Sequence, residues 1–285
     1  MWKCEENMRE QFKNKGRRAA LAAVAAVMAY ISLIPLMVLL QLAFHQPSQL
    51  TQNGFFSLQG MTLQNFGLAF ESSNLFLGMI NSARIAAASL LLTVLFASAA
   101  SYEIARFPSK LNNTAYVLFL FSMAIPSIIS TVPLYILMRK LGAINTLWGM
   151  ILLNTAFAMP FAIFLYTSFI KSMARDMEEA AKIDGCSAAG CFFRVLFPIM
   201  KPVTSTVILL NAVTFWNEYG RAVFFLQKQS VYTMPLSISL FIQKYGADWE
   251  LMAAAALVAL IPVVTVFLAF QKYYIKGLAA GAVKG

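Results

Sequence analysis

Charged residues are scarce in this chain. Only 12% of its 285 residues are Asp, Glu, Lys or Arg, whereas 60% are hydrophobic, and a soluble domain carries about twice that share of charge. Too little polar surface is present to enclose a soluble core, so we expect a membrane-embedded chain. The net charge of +10 does not indicate nucleic-acid binding, because the basic residues cluster between apolar runs, as in membrane proteins.

Residues that carry catalytic chemistry are also few. The single histidine, His45, lies far in sequence from Cys186 and Cys191, and the third cysteine is Cys4, so a metal site lacks ligands. All three cysteines fall in segments that we expect to face the cytosol, where disulfides are rare. The chain also lacks a G-x-x-x-x-G-K-[ST] phosphate-binding loop. We therefore predict no catalytic residue, metal or cofactor on this chain.

Six apolar runs are each long enough to cross a bilayer as a helix of about 20 residues. They fall at about 19–43, 75–101, 114–137, 148–170, 203–225 and 250–271. This pattern predicts an all-α integral membrane protein, with an N-terminal tail (1–18) and a single transmembrane domain (19–285). The first run is too long for the apolar core of a cleaved signal peptide, so we interpret it as an anchor.

Positive charge predicts the orientation of these spans. Sixteen Lys and Arg residues lie in the N-terminal tail, the loops after spans 2 and 4 and the C-terminal tail (272–285), and four lie in the other loops. The side richer in Lys and Arg is cytosolic. Both termini and the loop 171–202 are therefore predicted to be inside, and the loop 44–74 outside.

Several spans contain residues that interrupt a membrane helix. Pro126 and Pro133 fall in span 3, Pro160 in span 4 and Pro262 in span 6. Proline frees backbone carbonyls, which is tolerated at membrane depth where other helices or a cavity satisfy them. Each proline alone is explained by a packing kink, but together they favour a moving bundle that lines a path.

Span 5 has the clearest polar pattern. Asn211, Thr214 and Glu218 fall at i, i+3 and i+7, on one stripe of a helix. A carboxylate inside a membrane normally faces the bundle or a cavity, and Arg221 is placed to pair with Glu218. Two interpretations stay open, a structural ion pair near the end of the span and a role in lining a pathway. The candidate pathway-lining residues are Asn154, Asn211, Thr214, Asn217 and Glu218.

The loop 171–202 holds four of the twelve acidic residues between two apolar walls. The segment from Ser172 to Ile183 has the spacing of an amphipathic helix, with Met173, Met177 and Ala180 on one face. Its small residues allow close approach by another protein. The loop is therefore predicted to be a docking element, although a solvated connection between spans is the alternative.

Local signals predict a helix–turn–helix within this loop. Glu178 and Lys182 form a favourable i,i+4 pair, and Gly185 stands where a glycine ends a helix. Ser187 is a cap for a second short helix, which we expect to run to the break at Phe197–Pro198.

The same loop resembles a known motif. Glu179-Ala180-Ala181, three residues, Gly185, nine residues and Val195-Leu196-Phe197-Pro198 resemble the EAA loop, E-A-A-x3-G-x9-I-x-L-P, of ATP-binding-cassette importer permeases. Val195 and Phe197 are apolar replacements of Ile and Leu in that pattern. The resemblance to the sugar-importer branch of these permeases extends to four further segments: Leu141–Gly149, Trp216–Tyr219, Tyr232–Leu236 and Gly277–Gly285. The last of them, at the C-terminus, resembles the maltose-type, MalG-like second permease of that branch.

The resemblance implies a non-catalytic permease subunit of a binding-protein-dependent importer of an oligosaccharide or related carbohydrate, in the bacterial cytoplasmic membrane. Its implied partners are a homologous second permease (MalF-like), an ATPase dimer (MalK-like) that binds ATP and Mg, an extracytoplasmic solute-binding protein and membrane lipid. The EAA loop would be the coupling helix, with Glu179 pairing with a basic residue of the ATPase. The implied ATPase-coupling residues are Glu178, Glu179, Ala180, Ala181, Asp184, Gly185, Gly277, Gly281 and Lys284.

A secondary transporter or channel that works without an ATPase is the alternative. Such a protein needs its own coupling ions and usually has internal repeats, and no clear repeat is present here. It also leaves the EAA-like loop unexplained. A membrane scaffold without a transport role leaves the polar stripe of span 5 and the interrupted spans without a purpose.

Overall fold

The structure is a computed structural model that describes residues 2–46, 59–243 and 248–282. The regular elements within these ranges are helical. In chain order they are α1 (Trp2–Phe44), α2 (Gln64–Ser73), α3 (Leu75–Arg106), α4 (Lys110–Ser122), α5 (Thr131–Lys140), α6 (Leu147–Ser172), α7 (Asp176–Ile183), α8 (Ala188–Ile199), α9 (Lys201–Trp216), α10 (Ala222–Phe225), α11 (Met234–Gln243) and α12 (Trp249–Ala282). Short 3-10 turns cover Ser127–Ser130 and Gln229–Val231.

Four helices are long and apolar enough to cross a membrane alone: Ala20–Phe44 of α1, α3, α6 and Trp249–Ala269 of α12. Two further pairs meet the same condition only as bent units. In one, α4 and Ser127–Lys140 bend by 102°, and in the other, α8 and α9 bend by 73°. The described residues therefore contain four to six candidate spans. An all-α, multi-pass chain is confirmed, and the number six depends on how the bent pairs are counted.

The predicted third span is broken near its middle. α4 ends at Ser122, and Pro126 immediately precedes the 3-10 turn at Ser127–Ser130. Proline supplies no backbone N–H and disfavours the helical conformation of the residue before it. Pro160 and Pro262, in contrast, lie inside the continuous helices α6 and α12.

The predicted fifth span, 203–225, is longer than the helix that the structure shows. α9 ends at Trp216, and the separate short helix α10 follows. The Oε1 atom of Glu218 accepts a hydrogen bond of 2.8 Å from the backbone N–H of Arg221, so that this N–H does not continue a helical ladder. Side-chain acceptors of this kind compete with helix formation. Glu218 therefore does not share one helical stripe with Asn211 and Thr214, as the sequence had predicted.

Helices α3 and α6 form the centre of the bundle and run parallel to each other. Ser89 Oγ donates to the Ile151 carbonyl at 3.4 Å, and Ser101 Oγ donates to the Ile163 carbonyl at 3.2 Å. Small residues at such contacts let helices approach closely. The Tyr166 hydroxyl of α6 donates to Thr204 Oγ1 of α9 at 3.1 Å, which places the start of α9 beside the second half of α6.

The described parts of the loop segments contain two helices that the sequence pattern did not reveal, α2 and α11. α11 is attached to α3 through polar groups, because Asn81 Nδ2 donates to the Tyr232 carbonyl at 3.0 Å and Ser82 Oγ accepts from the Met234 N–H at 2.8 Å. At Gly78 a Cβ atom would lie 2.5 Å from Ser237 Oγ. Close packing at this glycine lets α11 lie directly against the first turns of α3.

Candidate functional site

The two adjacent glutamates of α7 lie on opposite sides of that helix. Glu178 is 5% exposed, whereas Glu179 is exposed to solvent. Ala181 is buried on the same side as Glu178, and Ala180 is exposed. The predicted apolar face was therefore misassigned, since Met177 is 48% exposed. The face that packs on the bundle instead carries Glu178 and Ala181.

Arg106, the last residue of α3, explains why Glu178 is buried. Arg106 Nε donates to Glu178 Oε1 at 2.7 Å, and Arg106 Nη2 lies 2.6 Å from the same oxygen. Nη2 also donates to the Met173 carbonyl at 3.3 Å. The predicted Glu178–Lys182 pair is therefore wrong, because a buried guanidinium needs a buried anion, while Lys182 is exposed.

A tight turn joins α7 to α8. Gly185 has a φ of +79°, and the N–H groups of Gly185 and Cys186 return to the carbonyls of Lys182 and Ala181 at 3.0 Å each. A glycine in this left-handed conformation is the usual way to end a helix. Asp184 lies just before the glycine and is exposed.

α8 begins with a side-chain cap, because Ser187 Oγ accepts from the Gly190 N–H at 3.2 Å. The helix does not stop at Phe197–Pro198, as predicted, but continues to Ile199 through a π-helical turn at Cys191–Leu196. This turn, with bonds between residues five apart, accommodates the proline, and the bend comes at Met200. The buried side chains of Phe192 and Leu196 join the same core cluster as Tyr166 and Val207.

A cavity of about 460 Å³ lies between the start of α5, the middle of α6 and the end of α9. It brings together Asn211, Thr214 and Glu218, although Glu218 lies beyond the end of α9. We call it the α6–α9 cavity. Its lining residues are Ser127, Ile128, Thr131, Phe157, Ala158, Phe161, Asn211, Thr214, Phe215, Glu218, Gly220 and Arg221.

The predicted pairing of Glu218 with Arg221 is confirmed. The Arg221 guanidinium contacts Glu218 Oε2, and both side chains are mostly buried. The guanidinium also lies over the Phe157 ring, 4.6 Å from its centroid, in the geometry of a cation–π contact. The two charges at this cavity therefore neutralise each other.

The other predicted site residues lie elsewhere. Asn217 lines a second cavity of about 520 Å³, between the end of α9, α11 and α12. Asn154 is 0% exposed, lines neither cavity, and its side-chain atoms have no hydrogen-bond partner among the described residues. Gly277 and Gly281 lie in the last turns of α12, and Lys284 lies outside the described residues.

Two groups of site residues were missed by sequence reasoning. In the sequence, Arg106 indicates only the orientation of the spans, and Phe157 and Phe161 are apolar residues of a predicted span. No sequence signal links them to Glu178 or Glu218, because the contacts join residues far apart in the chain. Within the described ranges, no group of three or more His, Cys, Asp or Glu side chains is placed to hold a metal ion.

Several membrane-length helices, a cavity between them that contains a few polar groups, and a helix–turn–helix packed on their ends are the features of a multi-pass membrane protein of the transport class. The chain belongs to the family described as the binding-protein-dependent transport system inner membrane component, whose model matches residues 89–279. The resemblance to importer permeases is thereby confirmed. In this family the chain is a permease subunit.

Curated relatives match over most of their length. The chain is 42% identical over 226 residues to the melibiose/raffinose/stachyose import permease protein MelC of Bacillus subtilis (strain 168), which covers 79% of this chain and 82% of MelC. It is 31% identical over 251 residues to the arabinooligosaccharides transport system permease protein AraQ of Halalkalibacterium halodurans. That match covers 87% of this chain and 89% of AraQ.

A solved structure has the same fold. A chain of a bacterial ABC transporter involved in the import of the acidic polysaccharide alginate superposes with a TM-score of 0.81. The superposition covers 90% of this chain and 95% of that chain, at 19% sequence identity.

Proposed function

We propose that this chain is the permease subunit of an ATP-driven, binding-protein-dependent importer of neutral oligosaccharides in a bacterial inner membrane. The observation that carries the proposal is the family match over residues 89–279, which includes α7 and its exposed face. Relatives named for the import of raffinose-type and arabinose-type oligosaccharides support the substrate class.

The exposed face of α7 supports docking to an ATPase. This face presents Glu179, Ala180, Met177 and Ile183, and the Ile183 side chain is 86% exposed. Exposed apolar side chains beside a charge mark a protein interaction surface, and Glu179 is free to pair with a basic partner residue. Asp184 and Gly185 at the turn, and Gly277, Gly281 and Lys284 of the C-terminal segment, would contact the ATPase dimer as well.

The opposite face of α7 supports transmission of force. Glu178 is bound to the end of α3, and α8 is buried against α6 and α9 through Phe192 and Leu196. A push on α7 would therefore move the ends of three helices together instead of bending a loop. Closure of an ATPase dimer would drive alternating access by this rigid-body motion, with ATP and Mg bound by the partner.

The parallel arrangement of α3 and α6 supports six spans. Two parallel helices that both cross a bilayer need a return crossing between them, and the bent unit of α4 and Ser127–Lys140 is the segment that connects them. α9 runs back from the end of α6 and provides the next crossing. Together with α1 and α12 this arrangement supports six spans, and the concentration of Lys and Arg supports a cytosolic location of α7 and both termini.

Reconstitution tests the proposal. The chain is purified with its cognate second permease and ATPase, inserted into liposomes and supplied with the cognate solute-binding protein. We expect raffinose or arabinotriose to stimulate ATP hydrolysis and to accumulate only when ATP is present. Accumulation that needs no ATPase subunit and follows a proton or sodium gradient would instead support a secondary transporter.

A further inference from the structure

We infer that the α6–α9 cavity is a subsite for an uncharged carbohydrate segment and that this chain thereby favours neutral over anionic sugars. The inference rests on the proposed function. It adds where on this chain the sugar binds and which charge of sugar that site prefers. The cavity volume of about 460 Å³ lies within the range of roughly 300–1,000 Å³ that small-molecule sites occupy.

The charge balance of the cavity disfavours an anionic ligand. Glu218 and Arg221 are the charged residues of its lining, and they bind each other. The guanidinium is further covered by the Phe157 ring. Arg221 Nε is buried without a partner among the described residues, so it remains as a donor to a ligand hydroxyl oxygen. An anionic sugar would add a negative charge beside Glu218 that the single Arg221 cation, already paired, does not neutralise, and an uncompensated charge is costly to bury.

The hydrogen-bonding groups on α9 favour a ligand that donates. Thr214 Oγ1 donates to the Leu210 carbonyl at 2.9 Å, so its lone pairs remain as acceptors. Asn211 Nδ2 donates to the Val207 carbonyl at 2.8 Å, which leaves its carbonyl oxygen for a ligand. Sugar hydroxyls donate to such oxygens, whereas a carboxylate only accepts.

The position of the ion pair argues against lipid as the occupant. Ionisable residues in membrane proteins face the bundle interior or a water-filled cavity, because contact with hydrocarbon is costly. Phe161 adds an aromatic surface beside these polar groups, and a largely apolar wall with a few placed polar atoms is the usual composition of a small-molecule site.

Direct binding tests the subsite without the solute-binding protein, which selects sugars upstream. The assembled permease–ATPase complex is examined by equilibrium dialysis with radiolabelled raffinose and arabinotriose, and trigalacturonate serves as the anionic competitor. We expect an unlabelled neutral sugar to displace the probe at least tenfold better than trigalacturonate. Equal displacement by trigalacturonate, or no binding of either neutral probe, would overturn the inference, while ATP-dependent uptake in liposomes would leave the proposed function standing.

Matched variants assign the binding to this chain. Thr214→Val is expected to weaken binding of the neutral probe about fivefold to tenfold. Thr206→Val is the control, because Thr206 Oγ1 donates to the Pro202 carbonyl in the same way but does not line the cavity. Equal affinities of these two variants would contradict a subsite in this chain.

A charge-selectivity switch provides the second readout. Glu218→Gln leaves Arg221 without its anion, so trigalacturonate should gain at least tenfold relative to raffinose. If that variant does not assemble, Thr214→Lys adds a cation while keeping the Glu218–Arg221 pair, and the same shift is expected. An unchanged preference for raffinose over trigalacturonate in the assembled variant would overturn the inference. The proposed function itself would be contradicted by a different result, the absence of ATP-dependent uptake of every sugar by the wild-type complex.

Discussion

Arg106 at the end of α3 holds Glu178 of α7 in a buried ion pair, with Nε to Oε1 at 2.7 Å and both side chains 6% exposed. The contact joins residues 72 positions apart. It fixes the proposed coupling helix to the central pair of helices, so the face that carries Glu179 stays turned outward.

Breaking this pair should uncouple transport. Removing one partner of a buried ion pair costs about 3–5 kcal/mol, because the other charge is left uncompensated. We expect Glu178→Gln and Arg106→Gln to lower sugar uptake per ATP hydrolysed at least tenfold and to lower the unfolding temperature of the complex. The measurement is the ratio of uptake to ATPase activity in liposomes.

Glu179→Gln is the matched control for the unfolding temperature, since it makes the same change on the exposed side of α7. The reversed pair, Arg106→Glu with Glu178→Arg, restores the opposite charges. It should recover part of the coupling ratio that the single variants lose. A double variant no better than either single variant would show that the ion pair is not what positions α7.

Glu179 should matter for coupling but not for folding. Its side chain is exposed and makes no salt bridge within the described residues. We expect Glu179→Lys to insert normally, to keep its unfolding temperature and to lose ATP-driven uptake, because like charges would then meet at the ATPase. Asp176→Lys, the same charge change at the exposed first residue of α7, is the control and should retain most uptake. Wild-type uptake by Glu179→Lys would remove its coupling role.

Local features of the proposed coupling loop were predictable from sequence, whereas orientation was not. Gly185 and Ser187 act through bonds to neighbours in the chain, and the structure places both as their positions had indicated. Glu178 and Glu179 are chemically identical neighbours, and it is the contact with Arg106, distant in sequence, that distinguishes the buried one from the exposed one. Sequence spacing alone therefore assigned both residues the same role.

The end of span 5 shows the same limit. Apolar residues after Glu218 continue the pattern of a membrane helix, so hydropathy extended the span to residue 225. The helix nevertheless ends at Trp216, and beyond it the Glu218 side chain takes the Arg221 N–H before the separate short helix α10 begins. Even so, Asn211, Thr214 and Glu218 line one cavity, since the chain beyond α9 folds back onto the same side.

Gly185 should be replaceable only by a residue that tolerates a left-handed backbone. Its φ is +79°, and a Cβ would meet nothing within 4 Å, so the conformation and not the space is limiting. The left-handed region costs L-residues roughly 1–2 kcal/mol, with Asn a partial exception. We expect Gly185→Val to lower the unfolding temperature and uptake, and Gly185→Asn to stay close to wild type in both. Equal effects would show that the turn does not constrain the backbone.

Asn145 should contribute to stability as a hydrogen-bond acceptor. It has a φ of +59°, and its Oδ1 accepts from the N–H groups of Gln227 and Lys228 at 2.5 and 3.0 Å. Its own N–H donates to the Phe225 carbonyl at 2.9 Å. These bonds connect the segment before α6 to the segment after α10. The residues directly before α10, Gly220 and Arg221, line the α6–α9 cavity.

Asn145→Ala removes both side-chain bonds, which are exposed, so each contributes about 0.5–1.5 kcal/mol, and it places alanine at a positive φ. We therefore expect a lower unfolding temperature and weaker sugar uptake. Asn145→Asp keeps the accepting oxygen and tolerates the left-handed backbone, so it should retain most of both. Asn145→Gly separates the two contributions, because it relieves the backbone but supplies no acceptor. A glycine variant as stable as wild type would show that the Oδ1 bonds do not hold the two segments together.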